Sequence, residues 1–200
     1  QQGGALAVLA ERTAREHCEG SALLMLRHVF HHDTPAAAER TLVLDTAQAQ
    51  WTFTGLAEEP VPSLLRGFSA PVSLRQSAGP QELLLLARRD SDPFNRWQAL
   101  RTLMIRMLCA EARGEPATPG LADDIIAAVG EAARSHQEPA YVAQLIAVPS
   151  ASDLAREIGE RVDPDAIHAA LTMLARGVGT TLAADLSLIH ISEPTRLRRI

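Results

Sequence analysis

Cysteine is scarce in this 200-residue chain, with Cys18 and Cys109 the only two, and they lie far apart. Cys109 falls within a helical apolar run, where a buried free thiol is the commonest arrangement, and this usage fits a reducing, cytoplasmic compartment. Basic residues are not in excess. Lys and Arg total 19 against 24 Asp and Glu, the formal net charge is -5 and the pI is about 5.8. The cations are scattered, so the electrostatic footprint of a nucleic-acid binder is missing. No apolar run reaches about eighteen residues, which excludes a transmembrane helix from the expectation. The opening Q-Q-G-G-A-L-A-V-L-A-E-R lacks both the basic start and the cleavage pattern of a signal peptide, and a first residue other than Met predicts a piece of a longer protein. The sequence has no G-x-S-x-G elbow, no Gly-rich phosphate loop and no H-E-x-x-H helix. Ser69, Ser77 and His136 form no recognisable nucleophile arrangement.

What is present is apolar content of 46%, ample for a packed core and against general disorder. The chain is organised around Pro60 to Leu74, P-V-P-S-L-L-R-G-F-S-A-P-V-S-L. Before it the apolar pattern has the short period of strands, and from Pro80 onward it has the period of helices. Pro60, Pro62 and Pro71 fix three φ angles and remove three backbone donors, so neither a helix nor a central strand runs through the whole segment. Gly67 allows a turn. Leu64, Leu65, Phe68 and Val72 carry enough apolar surface that the joint is expected to be pressed between two layers, where an ordinary linker would be polar and flexible.

In the N-terminal third, residues 1–22 are mixed and predict at most a weak helix through Leu6 to His17 between glycines. Leu23 to Phe30, Thr41 to Asp45 and Gln50 to Thr54 are runs of strand length. In the last, Trp51 and Phe53 face opposite to Gln50, Thr52 and Thr54, the alternation of a half-buried strand. D-T-A-Q at Asp45 to Gln48 is turn chemistry and predicts an antiparallel pair from Thr41 to Thr54. So small a sheet cannot bury both faces, and part of a β-sandwich is expected. His28, His31 and His32, with Asp33 the only near carboxylate, raise a zinc-site hypothesis. A rigid frame and further ligands are missing, so a strand end running into a loop is the preferred reading.

The C-terminal two thirds read as helices with short Pro-marked loops. Pro80 opens the first, which continues to about Arg89, and four consecutive leucines leave it no polar face, so it is expected to be covered on more than one side. Asp92 is the expected N-cap of a second helix closed by Gly114, with Phe94, Trp97, Leu100, Leu103, Met104, Met107 and Leu108 on one stripe. Arg96, Arg101, Arg106 and Glu111 lie mostly off it, a solvated face with some pairing. A third helix runs Leu121 to Ser135 with Leu121, Ile125, Ala128, Val129 and Ala132 inward, and a fourth begins at Pro139. A fifth can be capped by Ser150 or Ser152, with Asp153 three residues after Ser150, and runs to about Arg161. The sixth begins at Pro164, with Ile167, Ala170, Leu171, Leu174 and Val178 inward. Asp123 with Asp124, and Asp163 with Asp165, sit in first turns or caps, where the helix dipole favours negative charge, and this outweighs acid-base catalysis.

Several blocks carry a family resemblance. P-V-P-S-L-L-R-G-F-S-A-P-V from Pro60, Q-E-L-L-L-L-A-R-R-D-S-D-P-F-N-R-W-Q-A from Gln81, T-A-Q-A-Q-W-T-F from Thr46, I-A-V-P-S-A-S-D-L from Ile146 and V-D-P-D-A-I from Val162 together resemble the bacterial alanyl aminopeptidase (aminopeptidase N) family of zinc peptidases. The resemblance implies an α+β architecture: a partial, Ig-like β-sandwich at 23–78, then at 79–186 the first part of an antiparallel, ARM/HEAT-like helical array, truncated. Residues 1–22 are unassigned. Residues 187–200, S-L-I-H-I-S-E-P-T-R-L-R-R-I, resemble translated sequencing-adaptor read-through and are set aside as scar.

The same resemblance implies that the complete protein removes N-terminal residues from peptides, zinc polarising the scissile carbonyl and activating water while a glutamate moves the proton. The family's zinc ligands, H-E-x-x-H glutamate and G-A-M-E-N loop lie upstream, so no catalytic, cofactor-binding or metal residue is assigned in this chain, and the piece alone is expected to be inactive. Its implied partners are its own upstream catalytic domain and, in the parent, peptide substrates, with no nucleic acid and no membrane. The competing expectation is a stand-alone helical-array interaction module.

Overall fold

The computed structural model describes residues 4–11, 22–29, 40–44, 48–56, 60–68, 76–135, 138–159 and 161–191. Cys18, His31, His32, Asp33, residues 45–47 of the expected turn, residues 69–75 with Ser69, Pro71 and Val72, His136 and residues 192–200 lie outside them. The chain divides into two compact units, residues 1–99 and 100–200.

The first unit opens with strands β1 (Gly4–Glu11), β2 (Ala22–Val29), β3 (Arg40–Leu44), β4 (Gln48–Leu56) and β5 (Val61–Ser63). β1 pairs antiparallel with β4, with Leu6 opposite Phe53 and Val8 opposite Trp51. The weak helix expected from Leu6 is therefore overturned over residues 6–11. The segment has a long partner strand carrying aromatics, and cross-strand pairing outweighs a marginal local helix preference. The antiparallel pair expected from Thr41 to Thr54 is also corrected. β3 pairs with β2, Ala22 opposite Leu44 and Leu26 opposite Arg40, while β4 belongs to the β1 sheet. Turn residues specify that the chain changes direction but not which strand it then joins, and here the connection passes from one sheet to another.

The second sheet has the order β3-β2-β5. β5 is an edge strand, antiparallel to β2 with His28 opposite Pro62 and Val29 opposite Val61, and an edge is where a strand tolerates proline. The chain then turns through Leu65 and a 3-10 turn at Arg66–Phe68. It enters helix α1 (Pro80–Arg89), which packs against β5 and β2. Leu83, Leu84, Leu85, Leu86 and Ala87 are all buried, so the middle of this helix is covered on more than one side, as its four consecutive leucines require. Each such leucine contributes about 1.5–3 kcal/mol of burial, which outweighs the short helix's poor intrinsic stability.

Helix α2 (Pro93–Ala112) begins in the first unit and continues into the second. Leu100, Leu103, Met104 and Leu108 of the expected stripe are buried, and Met107 partly so. Phe94 is instead 37% exposed, its ring 5.5 Å from that of Trp97 and tilted 37° to it. It stands in the first turn, where a periodic pattern overestimates burial because the neighbouring turn is absent. Gly114 (φ 68°) ends α2, with Glu115 N–H donating back to Ala110 C=O at 2.9 Å and Gly114 N–H to Glu111 C=O at 3.0 Å.

In the second unit follow α3 (Leu121–Ala133), α4 (Pro139–Leu145), α5 (Ala151–Ile158) and α6 (Pro164–Ile191). α3 packs on α6 and α4, and α5 packs on α6. All five residues assigned to the inner face of α3 are buried, and so are Ile167, Ala170, Leu174 and Val178 of α6. Leu171 is only partly buried. α5 stops at Ile158 rather than about Arg161, because Gly159 (φ 76°) and then Arg161 (φ 62°) take left-handed backbone. α6 continues past Leu186 to Ile191, and the sequence offers no proline between Pro164 and Pro194 to stop it.

Candidate functional site

A dense polar cluster lies at the joint of the first unit. Arg66 is buried, and it is the one charged residue in the segment from Pro60 to Leu74. A guanidinium in such surroundings must find fixed partners. Its Nη1 donates to Ser63 Oγ at 3.0 Å and to Asp90 Oδ1, with which it forms a buried ion pair, and its Nη2 donates to Ser91 Oγ at 2.7 Å. Asn95 Nδ2 donates to the same Ser63 Oγ at 2.8 Å and to Leu64 C=O at 2.9 Å. Gly67 N–H donates to Asp92 Oδ2 at 3.1 Å.

The helix ends at this corner use the same carboxylates. Asp92 Oδ1 accepts from Phe94 N–H at 2.9 Å and Asn95 N–H at 3.1 Å, which makes Asp92 the N-cap of α2 that D-S-D-P predicts. Asp90 Oδ1 accepts from Asp92 N–H at 2.9 Å, while Asp90 Oδ2 is buried without a hydrogen-bond partner among the described residues. The cluster has cation, carboxylate, hydroxyl and amide, but its atoms are turned on one another. It holds two segments together rather than presenting a reactive group.

This cluster escaped the reading of the sequence, though a signal was there. One arginine stands in a segment expected to be pressed between layers, and the chain's nearest acidic run after it, D-S-D, precedes α2.

A second polar cluster joins α2 to α5. Asp153 Oδ2 accepts from Ser150 N–H at 2.9 Å, Ser150 Oγ at 2.6 Å and Arg101 Nη2 at 2.8 Å, and Ser150 Oγ accepts from Asp153 N–H at 3.2 Å. This is the capping box read from S-A-S-D, with a cation added from another helix. The Ser150 hydroxyl and amide, then Arg101, hold the Asp153 carboxyl down at about 2 against the usual 3.8. On α2 lies Cys109, a buried thiol whose Sγ stands 4.0 Å from Leu154 C=O. Burial pushes that thiol above its ordinary range, which suits a core side chain and not a nucleophile.

The remaining candidates resolve individually. Asp163 Oδ1 accepts from Asp165 N–H at 2.9 Å and Ala166 N–H at 3.2 Å and is the N-cap of α6. Asp123 and Asp124 stand in the first turn of α3. Arg96 Nε donates to Ala87 C=O at 3.2 Å, and Ser77 is exposed. His28 stands within β2 opposite Pro62. Among the described residues no group of three or more His, Cys, Asp or Glu is placed to hold a metal ion, and no helix is long and apolar enough to cross a membrane.

Two family models match in succession. Residues 20–77 match a domain of unknown function, DUF3458, described as an Ig-like fold, and residues 80–196 match DUF3458_C, described as ARM repeats. The Aminopeptidase N of Caulobacter vibrioides is 39% identical over 152 residues, 74% of this chain and 17% of that protein.

This chain belongs to the aminopeptidase N family.

The Aminopeptidase N of Escherichia coli is 32% identical over 155 residues, again 74% of the chain and 18% of the relative. The chain thus spans less than a fifth of the length of the curated relatives it matches. Among solved structures, an aminopeptidase A of Legionella pneumophila in complex with aspartic acid superposes with a TM-score of 0.76 at 21% identity, over 98% of this chain and 23% of that one, a likeness of fold. The architecture is an Ig-like β domain followed by an ARM-repeat helical domain of the aminopeptidase N family, and the joint cluster lies where the two matched regions meet.

Proposed function

We propose that this chain is a non-catalytic C-terminal region of a zinc-dependent, cytoplasmic aminopeptidase that releases N-terminal amino acids from peptides. The region links to the protein's own upstream catalytic domain and encloses its chamber, limiting access to peptides and unfolded ends by shape. The observation that carries this reading is the match of consecutive Ig-like and ARM regions, in order, with 39% identity to a relative named Aminopeptidase N. Among the described residues no group of three or more His, Cys, Asp or Glu fits a zinc ion, and no chemical step is assigned here.

The test is the uninterrupted gene. An H-E-x-x-H about three hundred residues before Pro60 is expected, with an upstream reading frame continuous with this one. The longer product should hydrolyse an alanyl amide and lose that activity to a chelator, while the 200-residue chain alone should not hydrolyse it. A start codon immediately before Gln1, or hydrolysis by the pure chain, would overturn the reading, the former in favour of a stand-alone helical-array module.

A further inference from the structure

The turn after β5 contains two residues with left-handed backbone, Leu65 (φ 54°) and Gly67 (φ 60°). Glycine adopts it freely, whereas in leucine the Cβ crowds the backbone, so Leu65 stays there only because its surroundings hold it. The residue between them supplies the hold. Arg66 reaches back to Ser63 and forward to Asp90 and Ser91, while Gly67 is tied to Asp92 and Leu64 C=O to Asn95. Apart from the bond to Ser63, each of these crosses from the strand-turn segment to the α1–α2 corner. The carboxylates that receive them also organise that corner: Asp90 accepts from Asp92 N–H, and Asp92 caps α2.

We propose that Arg66 is a positioning residue, the bolt of a latch that makes the β5 turn and the α1–α2 corner open and close as one cooperative unit. Only a guanidinium offers nitrogens to Ser63, Asp90 and Ser91 at once; an ammonium is a point charge and cannot span them. With the bolt withdrawn, the turn can relax from its left-handed geometry and the corner loses its cross-links.

The test is amide hydrogen exchange on the 200-residue chain, read over residues 61–68, residues 90–96 and helix α3. In the parent, the first two segments should exchange together and shift in parallel with added urea. Arg66→Lys should accelerate both by about tenfold or more, the loss of one charge-assisted hydrogen bond, and Ser91→Ala by about threefold, with α3 unchanged. Arg66→Met should exceed both variants; should it fail to fold, the lysine and alanine variants decide the matter. Exchange in Arg66→Lys at the parent's rate, or acceleration of one segment without the other, would overturn the latch.

Discussion

Arg66 and Asp90 form a buried ion pair across 24 residues of sequence, and both ends are tied to further groups, Arg66 to Ser63 and Ser91 and Asp90 to Asp92 N–H. Burying two charges is costly, and the pair is sustained only while both are present. Arg66→Met should therefore lower unfolding stability by about 3–5 kcal/mol, since it leaves Asp90 charged and enclosed. Arg66→Met with Asp90→Leu should be less harmful than either change alone. Urea unfolding of the four proteins measures the coupling, and simple additivity would show that the pair contributes no specific interaction.

The Asp153 capping box predicts a pH dependence of definite sign. The carboxyl lies at about 2 folded against 3.8 ordinarily, so the folded state favours the charged form. The resulting stability is fully present above the ordinary value and is lost as pH falls through that window toward about 2. Asp153→Asn should flatten the part of the acid-unfolding curve between about pH 4 and 2 while leaving the neutral-pH fold intact. An unchanged slope in that variant would place the acid sensitivity elsewhere.

Cys109 is buried, with its thiol raised mainly by desolvation. In a Cys18→Ser background, an aromatic disulfide reagent at pH 8 should label it only as fast as the helical unit opens, with urea accelerating labelling by about a hundredfold or more. Rapid labelling of the native chain would show that the α2–α5 contact is open in solution.

Two glycines of α6 should respond differently to alanine. A Cβ on Gly177 would run into Ile126 Cδ1 of α3, whereas one on Gly179 meets nothing within 4 Å. Gly179→Ala should add about 0.5–1 kcal/mol through helix propensity, and Gly177→Ala should gain less than that or lose stability, because the Ile126 side chain must move aside. Thermal melts of both, compared with the parent, check whether α3 and α6 approach as closely as described.

The helical part was largely legible in the sequence because its signals are local. Prolines at first turns, Asp92, Ser150 and Asp163 at caps and glycines at ends act within a few residues of themselves, and the inward faces of α3 and α6 follow from a 3.6-residue period. The blocks around Pro60 and Gln81 likewise sufficed to name the family. Strand partnership was not legible. Residues 41–54 specify two extended runs and a reversal, but their pairing with β2 and β1 is settled by surfaces that meet only in three dimensions. The same holds for Arg66, whose sequence neighbours are apolar and whose partners arrive from a helix corner far along the chain. A polar group's need for a partner is written in the sequence, but which group answers it is decided by packing, because burial makes an unpaired charge intolerable only once the two segments have closed around it.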